Sequence, residues 1–391
     1  MLKRRYLTKS ISRDLKKKMV FIGGPRQVGK TTFAREIIGP LYRHPSYFNW
    51  DFKQDRRDIT NSIWPAEADL IILDEVHKYN KWKGLVKGVY DKQKERLSLI
   101  VTGSARLDIF RRGGDSLQGR YHYYRLHPFS LAELLELENQ IKPGKALSFP
   151  EKAEAKAQLG ELLRWGGFPE PWLDKDETTL RRWHSERVDR LFREDVRDLT
   201  AIKDLGSMEL LAGIIPEKAA GQLSLNALRE DLEVSHRAVS NWINLLESFY
   251  YHFRVYPFTS RKIRSLKKES KIYLWDWSEV KDSAKRFENL VASHLLKMVH
   301  YLHDSAGFDL GLYYLRDVEG REVDFLVTFE QKPWFAVEVK MQETAISRNL
   351  KYFSERINIP YLFQVINVSG FDKLVGEVRL ISADKFLAGL I

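Results

Sequence analysis

The apolar residues of this chain form two kinds of pattern, short unbroken runs and stripes at helical spacing. Unbroken runs at residues 19–22, 70–73 and 99–101 predict buried strands. A glycine-rich segment follows the first run, and apolar residues at helical spacing follow it over residues 33–38. Because positions three and four apart share one face of a helix, this stripe predicts a packed helix. The amino-terminal third therefore contains a strand, a loop and a helix, followed by further strands.

The next region, residues 150–219, is rich in helix formers and charged residues. The segment "EKAEAKAQLGELLRWGG" predicts a helix that stops at Gly166 and Gly167, and "LRRWHSERVDRLFREDVRDL" predicts a second, longer helix. Charges of alternating sign over residues 193–198 indicate an exposed face with ion pairs. Together these helices resemble a lid.

The segment "LSLNALREDLEVSHRAVSNWINLLESFYYHFRVYPF" predicts two short helices and a β-prone aromatic stretch. The first helix covers residues 225–232, Glu233 and Val234 form a turn, and Ser235 caps the second helix. This order is typical of a winged helix-turn-helix, whose second helix can meet DNA. Its apolar residues face the core and leave these polar residues outside: His236, Arg237, Ser240, Asn241 and Asn244.

The last third of the chain shows the order helix, strands, helix, strand. The helix in "SAKRFENLVASHLLKMVHYL" places Glu288 beside its apolar stripe. The segment "REVDFLVTFEQKPWFAVEVK" predicts a hairpin with a polar turn at residues 331–333. Because side chains alternate along a strand, Glu338 and Lys340 project from one side, and Asp324 can face them from the neighbouring strand.

This order resembles the core of the PD-(D/E)xK nuclease-like fold, in which a helical Glu, a strand Asp and a Glu-x-Lys pair converge. Such a site would hold Mg²⁺ or Mn²⁺ through Glu288, Asp324, Glu338 and a carbonyl such as that of Val339. Lys340 would then lower the pKa of the attacking water or stabilise the phosphate under attack. Isolated buried charge is costly, so these residues must be solvated or gather around a cation. A surface ion pair on an amphipathic sheet and an inherited fold without catalysis are the alternatives.

Charge adds a preference for polyanions, because 64 Lys and Arg residues against 53 Asp and Glu give a formal charge of +11. The densest basic run, residues 260–271, follows the winged helix and ends at Lys271. We assign DNA phosphate contacts to five of its residues: Arg261, Lys262, Arg264, Lys267 and Lys268. The alternative is a winged helix that packs against protein.

The glycine-rich segment after the first strand matches the pattern G-x-x-x-x-G-K-[ST]. Its glycines let the backbone wrap phosphate oxygens, Lys30 reaches the β- and γ-phosphates, and the Thr31 hydroxyl serves Mg²⁺. We therefore assign ATP contacts to this segment: Gly24, Pro25, Arg26, Gln27, Val28, Gly29, Lys30, Thr31 and Thr32.

Two acids end the second strand, in "DLIILDEVHK". Asp74 is placed to hold Mg²⁺ with Thr31, and Glu75 to orient or polarise the attacking water. The pair favours an ATPase over a small-molecule kinase, which does not require the second carboxylate. A strand that merely ends in acids at a solvated turn is the structural alternative.

The third strand reaches Thr102 and Ser104, either of which can sense the γ-phosphate. The alternative is that Gly103 and Ser104 only form a turn. Downstream, Arg120 is our candidate for contact with nucleotide in its own or a neighbouring subunit, because guanidinium groups suit phosphoryl charge.

The segments "GPRQVGKTT", "IILDEVHK", "VTGSARL", "LQGRYHYYRLHPFSLAEL" and "GGFPEP" together resemble a widespread prokaryotic family of AAA-type ATP-binding proteins. The resemblance implies a P-loop fold with a parallel sheet, an additional strand and a catalytic Glu. It also implies a helical region, a carboxyl-terminal domain of undefined role, and oligomerisation. In that family's pattern Lys30, Thr31, Asp74 and Glu75 serve the nucleotide.

Three features that the sequence lacks bear on the expected cellular location of the protein. The chain has no cysteine, which fits a reducing cytoplasm. No run approaches the ~18 apolar residues of a membrane span. The basic start is followed by more lysines rather than by the apolar core of a signal peptide. We expect a cytoplasmic protein without membrane contact.

The fold class expected overall is α/β, in four segments. We expect a P-loop ATPase domain at 1–149, a helical lid at 150–204, a winged helix-turn-helix with a basic linker at 205–271, and a PD-(D/E)xK-like domain at 272–391. The expected function is a Mg²⁺-dependent ATPase, a homo-oligomer that couples ATP to DNA binding and to metal-dependent cleavage. The alternatives are a signal-transducing ATP switch with an inert carboxyl-terminal domain, and a small-molecule P-loop kinase.

Overall fold

The computed structural model describes residues 4–103, 117–138, 140–192, 204–259, 269–342 and 345–391. They belong to two compact units, Met1–Pro128 and Phe129–Ile391. The predicted first domain extends to residue 149, but the segment after Pro128 makes its contacts within the second unit. The Phe129 amide donates to the Gly167 carbonyl at 2.7 Å, and the Leu131 amide donates to His294 Nε2 at 3.0 Å. The other predicted boundaries stay predictions.

Five parallel strands form the sheet of the first unit. They are β1 Met19–Gly23, β2 Pro45–Asn49, β3 Leu70–Asp74, β4 Ser98–Thr102 and β5 Tyr121–Arg125. Their spatial order is β2-β3-β4-β1-β5. β4 therefore lies between β1 and β3, as the additional strand of the AAA resemblance does. Every residue of β1 and β3 is buried, which their unbroken apolar runs predict.

Helices cover this sheet and continue the chain between its strands. They are α1 Thr8–Asp14, α2 Lys30–Thr32, which continues as a π-helix over Phe33–Ile38, α3 Lys53–Asn61 and α4 Trp82–Gln93. One core packs Val86 and Val89 of α4 against Phe21 and Leu73 of the sheet. Because the strands are parallel, the phosphate loop, Asp74 and the end of β4 meet at one edge, where α/β sheets bind ligands.

The second unit begins with helices. They are α5 Leu131–Leu134, α6 Ala155–Trp165, α7 Pro169–Asp174, α8 Glu177–Arg190, α9 Leu205–Lys218, α10 Leu225–Asp231 and α11 His236–Ser248. The predicted stop of α6 is confirmed, because Gly166 follows it with φ 77°, a backbone angle that favours glycine. The alternating charges predicted at residues 193–198 lie outside the described residues.

A mixed sheet of eight strands completes the second unit. Its strands are β6 His252–Pro257, β7 Lys271–Leu274, β8 Leu310–Arg316, β9 Glu322–Phe329, β10 Lys332–Lys340, β11 Tyr361–Ile366, β12 Asp372–Val375 and β13 Val378–Ser382. The order is β12-β13-β11-β10-β9-β8-β6-β7. β8, β9 and β10 pair antiparallel, and β11 pairs parallel to β10.

Three further helices accompany this sheet. They are α12 Ser283–Ala306, α13 Arg348–Ile357 and α14 Ala383–Ala388. α12 precedes β8, and α13 connects β10 to β11, so the predicted order of helix, strands, helix and strand is present. The hairpin turn lies earlier than predicted, at Glu330 and Gln331. Both residues have positive φ, the backbone angle that a tight two-residue hairpin connection requires. β10 already begins at Lys332.

Candidate functional site

The phosphate loop takes its shape from residues with positive φ. Gly24 has φ 135°, and a Cβ at this position would collide with the Leu126 carbonyl oxygen. Gln27 and Gly29 have φ 58° and 91°. The loop therefore depends on glycine at its first position, where backbone angle and space both exclude a side chain.

Lys30 occupies the centre of this loop. Its side chain is buried, and Nζ donates to the Gly24 carbonyl at 3.1 Å and to the Pro25 carbonyl at 2.7 Å. Of the other residues assigned to ATP, Val28 is buried, Arg26 is half-buried and Thr32 is exposed. The loop thus wraps around the ammonium group that is expected to meet phosphate.

Asp74, at the end of β3, is held by three hydroxyl groups. Thr31 Oγ1 donates to Oδ2 at 2.7 Å, and Tyr47 OH donates to the same oxygen at 2.9 Å. Thr102 Oγ1 donates to Oδ1 at 2.5 Å. The predicted phosphate sensor Thr102 is thus a fully buried partner of Asp74, while Ser104 lies outside the described residues.

Glu75 follows with a left-handed backbone, at φ 56°. Its carboxylate lies 3.5 Å from His77 Nε2 and 3.7 Å from Lys78 Nζ. Burial raises the pKa of Glu75, the Lys30 charge opposes that rise, and the Asp74 charge adds to it. A carboxylate with a raised pKa beside a phosphate loop has the properties of a general base.

Arg120 lies at the other edge of the sheet. The Met19 amide donates to the Arg120 carbonyl at 3.2 Å, which places Arg120 at the amino ends of β1 and β5. Its guanidinium pairs with Asp91, with Nε 2.7 Å from Oδ1 and Nη2 3.1 Å from Oδ2. The structure therefore does not bring Arg120 to the phosphate loop of its own chain. Contact with nucleotide in a neighbouring subunit stays a prediction.

Two of the carboxylates predicted in the second unit, Glu288 and Asp324, meet around a lysine, together with Glu322, which was not predicted. Lys271 Nζ lies 3.1 Å from Glu288 Oε1, 2.6 Å from Glu322 Oε1 and 3.2 Å from Asp324 Oδ1. Burial lowers the pKa of Lys271, but Tyr273 and the carboxylates outweigh it and hold that pKa well above its ordinary value. Lys271 is the last residue of the basic run 260–271, and β7 carries its side chain into the unit.

Glu338 and Lys340 share one side of β10, as their spacing predicts. Lys340 Nζ lies 3.0 Å from Glu338 Oε1, and Ser347 Oγ donates to the same oxygen at 3.3 Å. The Val339 amide donates to Asp324 Oδ2 at 2.9 Å, which links this strand to the lysine-centred group. Burial, and then the Asp324 charge, raise the pKa of both Glu288 and Glu338 to about 7.

Helix α11 of the pair α10 and α11 begins at the predicted Ser235 cap, and most of the polar residues predicted for its outer face are exposed. Ser235 Oγ accepts from the Ala238 amide at 3.2 Å at the start of α11. On the outer face Ser240 is half-buried and the other four are exposed: His236, Arg237, Asn241 and Asn244. The antiparallel strands β6 and β7 follow. The basic residues assigned to DNA between those strands lie outside the described residues: Arg261, Lys262, Arg264, Lys267 and Lys268.

Three family models match the chain in succession. Residues 16–135 match the AAA domain, and this segment contains the phosphate loop, Asp74 and Glu75. This part of the chain is an AAA domain. Residues 156–280 and 284–369 match two domains of unknown function, DUF8612 and DUF4143. The family match thus covers the nucleotide site and leaves the other domains without an assigned activity.

Two similar proteins have the name uncharacterized protein. A protein of Methanocaldococcus jannaschii is 25% identical over 398 residues, covering 94% of this chain and 87% of its own. A protein of Haemophilus influenzae is 20% identical over 304 residues, covering 73% of this chain and 70% of its own. The similarity to the archaeal protein therefore extends over nearly the whole chain.

Among solved structures, the RuvB Holliday junction branch migration motor of Thermotoga maritima is similar to this chain, with a TM-score of 0.31 and 18% identity. The similarity covers 64% of this chain and 87% of that one. Among the described residues, no helix combines the length and the apolar character needed to cross a bilayer.

The AAA domain fits the nucleotide and metal that its family implies. Thr31 Oγ1 and the Asp74 carboxylate lie 2.7 Å apart, and hydroxyl and carboxylate oxygens are the ligands that Mg²⁺ prefers. Lys30 supplies the positive charge for phosphates, and the positive φ angles open the loop to them. Thr31 and Asp74 would hold the ion, which would neutralise phosphate charge when bound.

Tyr47 is a residue of the AAA domain's site that sequence reasoning missed. It lies on β2, far from the phosphate loop in sequence, and reaches Asp74 only because β2 pairs with β3. The Arg35 guanidinium lies 4.5 Å from the centre of its ring. The signal in the sequence was the presence of polar residues among the apolar ones in "PSYFN". These residues do not identify Asp74 as a partner until the strand order is known.

Proposed function

We propose that this chain is a Mg²⁺-dependent ATPase that couples ATP binding and hydrolysis to DNA binding. The observation that supports ATPase activity is the position of the Asp74 carboxylate. It accepts a hydrogen bond from Thr31 at the end of β3, and Glu75 follows it directly. Lys30, at the centre of the loop, supports the same conclusion.

Each residue has a distinct role in this proposal. Lys30 binds the β- and γ-phosphates, and Thr31 and Asp74 hold Mg²⁺. Glu75 orients a water molecule toward the γ-phosphate and accepts its proton at a carboxylate oxygen. A raised pKa makes Glu75 a better proton acceptor than an ordinary solvated carboxylate.

Phosphate release from γ-labelled ATP tests the ATPase. Glu75→Gln should bind ATP but lose about 100-fold or more in hydrolysis, the usual contribution of a general base. Lys30→Ala should lose nucleotide affinity as well. Glu67→Gln, at an exposed acid of the same domain, is the matched control. Full activity of Glu75→Gln contradicts its role, and label transferred to a metabolite instead of water indicates a kinase.

DNA coupling rests on the net charge of +11 and on the exposed polar face of α11. Both features favour contact with phosphates and bases. Labelled linear and branched duplexes, titrated by fluorescence anisotropy with and without ATP, test it. Four phosphate contacts predict a loss of affinity of about 100-fold between 50 and 200 mM salt. No salt-sensitive affinity for either DNA would refute the coupling.

An ATP switch that signals to a protein is the second candidate. Lys271 favours it, because an ammonium group already neutralises the carboxylates expected at a nuclease site. In this case α11 packs against a protein partner and the second unit cleaves nothing. ATP-dependent change in protein partners, without DNA affinity, distinguishes this candidate from the first.

A further inference from the structure

The lysine-centred carboxylate cluster, defined as Lys271, Glu288, Glu322 and Asp324, is unusual in its depth. The Lys271 side chain is 4% exposed, and three carboxylates lie within 3.2 Å of its ammonium nitrogen. A lysine buried to this extent is stable only when it is paired with opposite charge, and here three carboxylates pair with it. The cluster is therefore a built feature of the unit rather than a surface ion pair.

Three elements build the cluster together. β7 supplies Lys271, α12 supplies Glu288, and β9 supplies Glu322 and Asp324. Tyr273 is two residues after Lys271 on β7, and its hydroxyl donates to Glu288 Oε1 at 2.8 Å. Because alternate residues of a strand share a face, β7 directs both groups toward the same carboxylates.

The second oxygens of Asp324 and Glu322 are also engaged. Asp324 Oδ2 accepts from the Val339 amide at 2.9 Å, and Glu322 Oε2 pairs with Arg316 Nη1 at 2.8 Å. Glu338 gives Oε1 to Lys340 and Ser347, while its buried Oε2 has no hydrogen-bond partner. Glu288 and Asp324 each give an oxygen to Lys271, so a Mg²⁺ or Mn²⁺ ion would have to compete with an ammonium group for its carboxylate ligands.

We propose that Lys271 is the resident cation of this cluster and stands where the nuclease resemblance expects a divalent metal. The residues do not fit a metal as they are arranged, because a divalent ion would have to share Asp324 and Glu288 with an ammonium group of like charge. Among the described residues, no group of three or more His, Cys, Asp or Glu is arranged to hold a metal. The inference goes beyond the proposed ATPase and is independent of it.

Lys271→Met should open a metal site that the native residue blocks. All samples carry Asp74→Asn, so that the AAA domain does not contribute to the titration. Mn²⁺ binding to the full nucleotide-free chain is followed by the loss of the free-ion electron paramagnetic resonance signal. We expect no Mn²⁺ bound at the cluster with Lys271 present. Lys271→Met should gain one Mn²⁺ site per chain, at least tenfold tighter than any surface binding by the chain with Lys271. Adding Asp324→Asn should remove that site.

Two matched substitutions complete the experiment. Lys271→Arg keeps the charge and should bind as little Mn²⁺ as the native residue. Lys332→Met removes an exposed lysine of β10 and should change nothing. The proposal is overturned if the chain with native Lys271 binds one Mn²⁺ that Asp324→Asn abolishes, or if a folded Lys271→Met gains no site. If Lys271→Met does not fold, Mn²⁺ binding by the chain that keeps Lys271 is compared with and without Asp324→Asn. That comparison tests the proposal by itself.

Discussion

At the scale of single residues, the three hydroxyl groups around Asp74 do more than satisfy a buried carboxylate. Thr31, Tyr47 and Thr102 approach its two oxygens from three elements, α2, β2 and β4. Groups that orient a metal ligand in this way usually change metal affinity by 10- to 100-fold when removed. The position of Asp74 is thus fixed before any nucleotide binds.

Tyr47→Phe should raise the Mg²⁺ concentration for half-maximal ATPase activity roughly tenfold, because it removes one of those three hydrogen bonds. Magnesium titrations of the ATPase rate measure the effect. Tyr42→Phe is the control, since the Tyr42 hydroxyl bonds Ser98 at the opposite edge of the sheet. An unchanged magnesium requirement in Tyr47→Phe would mean that Asp74 does not need this partner.

The ATPase rate should also fall as the pH is lowered through the raised pKa of Glu75, because only the ionised carboxylate accepts a proton. The acid limb of the rate profile should therefore lie above the ordinary range for glutamate. Values of kcat/KM measured across a pH series test this, because they report the pKa values of the free enzyme. An acid limb at the ordinary value would exclude Glu75 as the titrating base.

Glu338 gives a pH dependence of stability. Its pKa is about 7 in the folded chain against an ordinary 4.5, so between these values the folded chain holds a proton that the unfolded chain has lost. The free energy of unfolding should therefore decrease as pH rises from 4.5 to 7, by roughly 3 kcal/mol at most for this group. Glu338→Gln should make that decrease smaller in thermal unfolding, while Glu288, whose pKa is also raised to about 7, contributes the rest. An identical decrease in the variant would contradict the assignment.

At the scale of elements, α5 and α12 are joined by a buried ion pair. Lys297 Nζ lies 2.6 Å from Glu133 Oε2, with 2% and 1% of the side chains exposed. Lys297→Met should destabilise the second unit by about 3–5 kcal/mol, because it removes the ammonium partner of a buried carboxylate. The pair Lys297→Met with Glu133→Leu should recover most of this loss in chemical unfolding. Equal destabilisation by the single and double changes would show that the loss of packing, not the loss of the charged partner, causes the destabilisation.

The elements also show what sequence reasoning can reach. Gly24, Lys30 and Thr31 lie within one short segment, and Asp74 and Glu75 end an apolar run, so the local sequence is enough to find them. Tyr47 depends on which strand lies beside β3, a fact that no local pattern contains. Lys271 was hidden for the opposite reason, since its basic neighbours in sequence suggest an exposed face while β7 buries it.

The strand–helix order of the second unit could likewise be predicted from periodicity. The pairing of its charges could be predicted only in part. Glu338 and Lys340 pair because of their spacing along one strand, whereas Lys271 meets Glu288 only after β7 and α12 have packed. A pattern of carboxylates predicts that a cation is needed. It does not say whether the cation is a metal or an amine.

At the scale of the whole molecule, the proposed DNA contact should be visible in its salt dependence. Arg237→Ala removes an exposed cation from α11, so the slope of log affinity against log salt should become shallower by about 0.9 if it meets one phosphate. Anisotropy titrations at several salt concentrations measure this slope. Arg182→Ala, at an exposed arginine of α8, should leave it unchanged, and equal slopes for all three proteins would exclude Arg237.

The segment before the AAA family match has a practical consequence for how this domain is isolated. Arg5 is buried, with Nη1 donating to the Val28 carbonyl at 3.0 Å and Nη2 donating to the His127 carbonyl. Tyr6 OH donates to the Arg125 carbonyl at 2.6 Å. A fragment cut to the matched range 16–135 would lose both side chains, and with them the brace behind the phosphate loop. Weak nucleotide binding by such a fragment would reflect where it was cut, not the chemistry of the site.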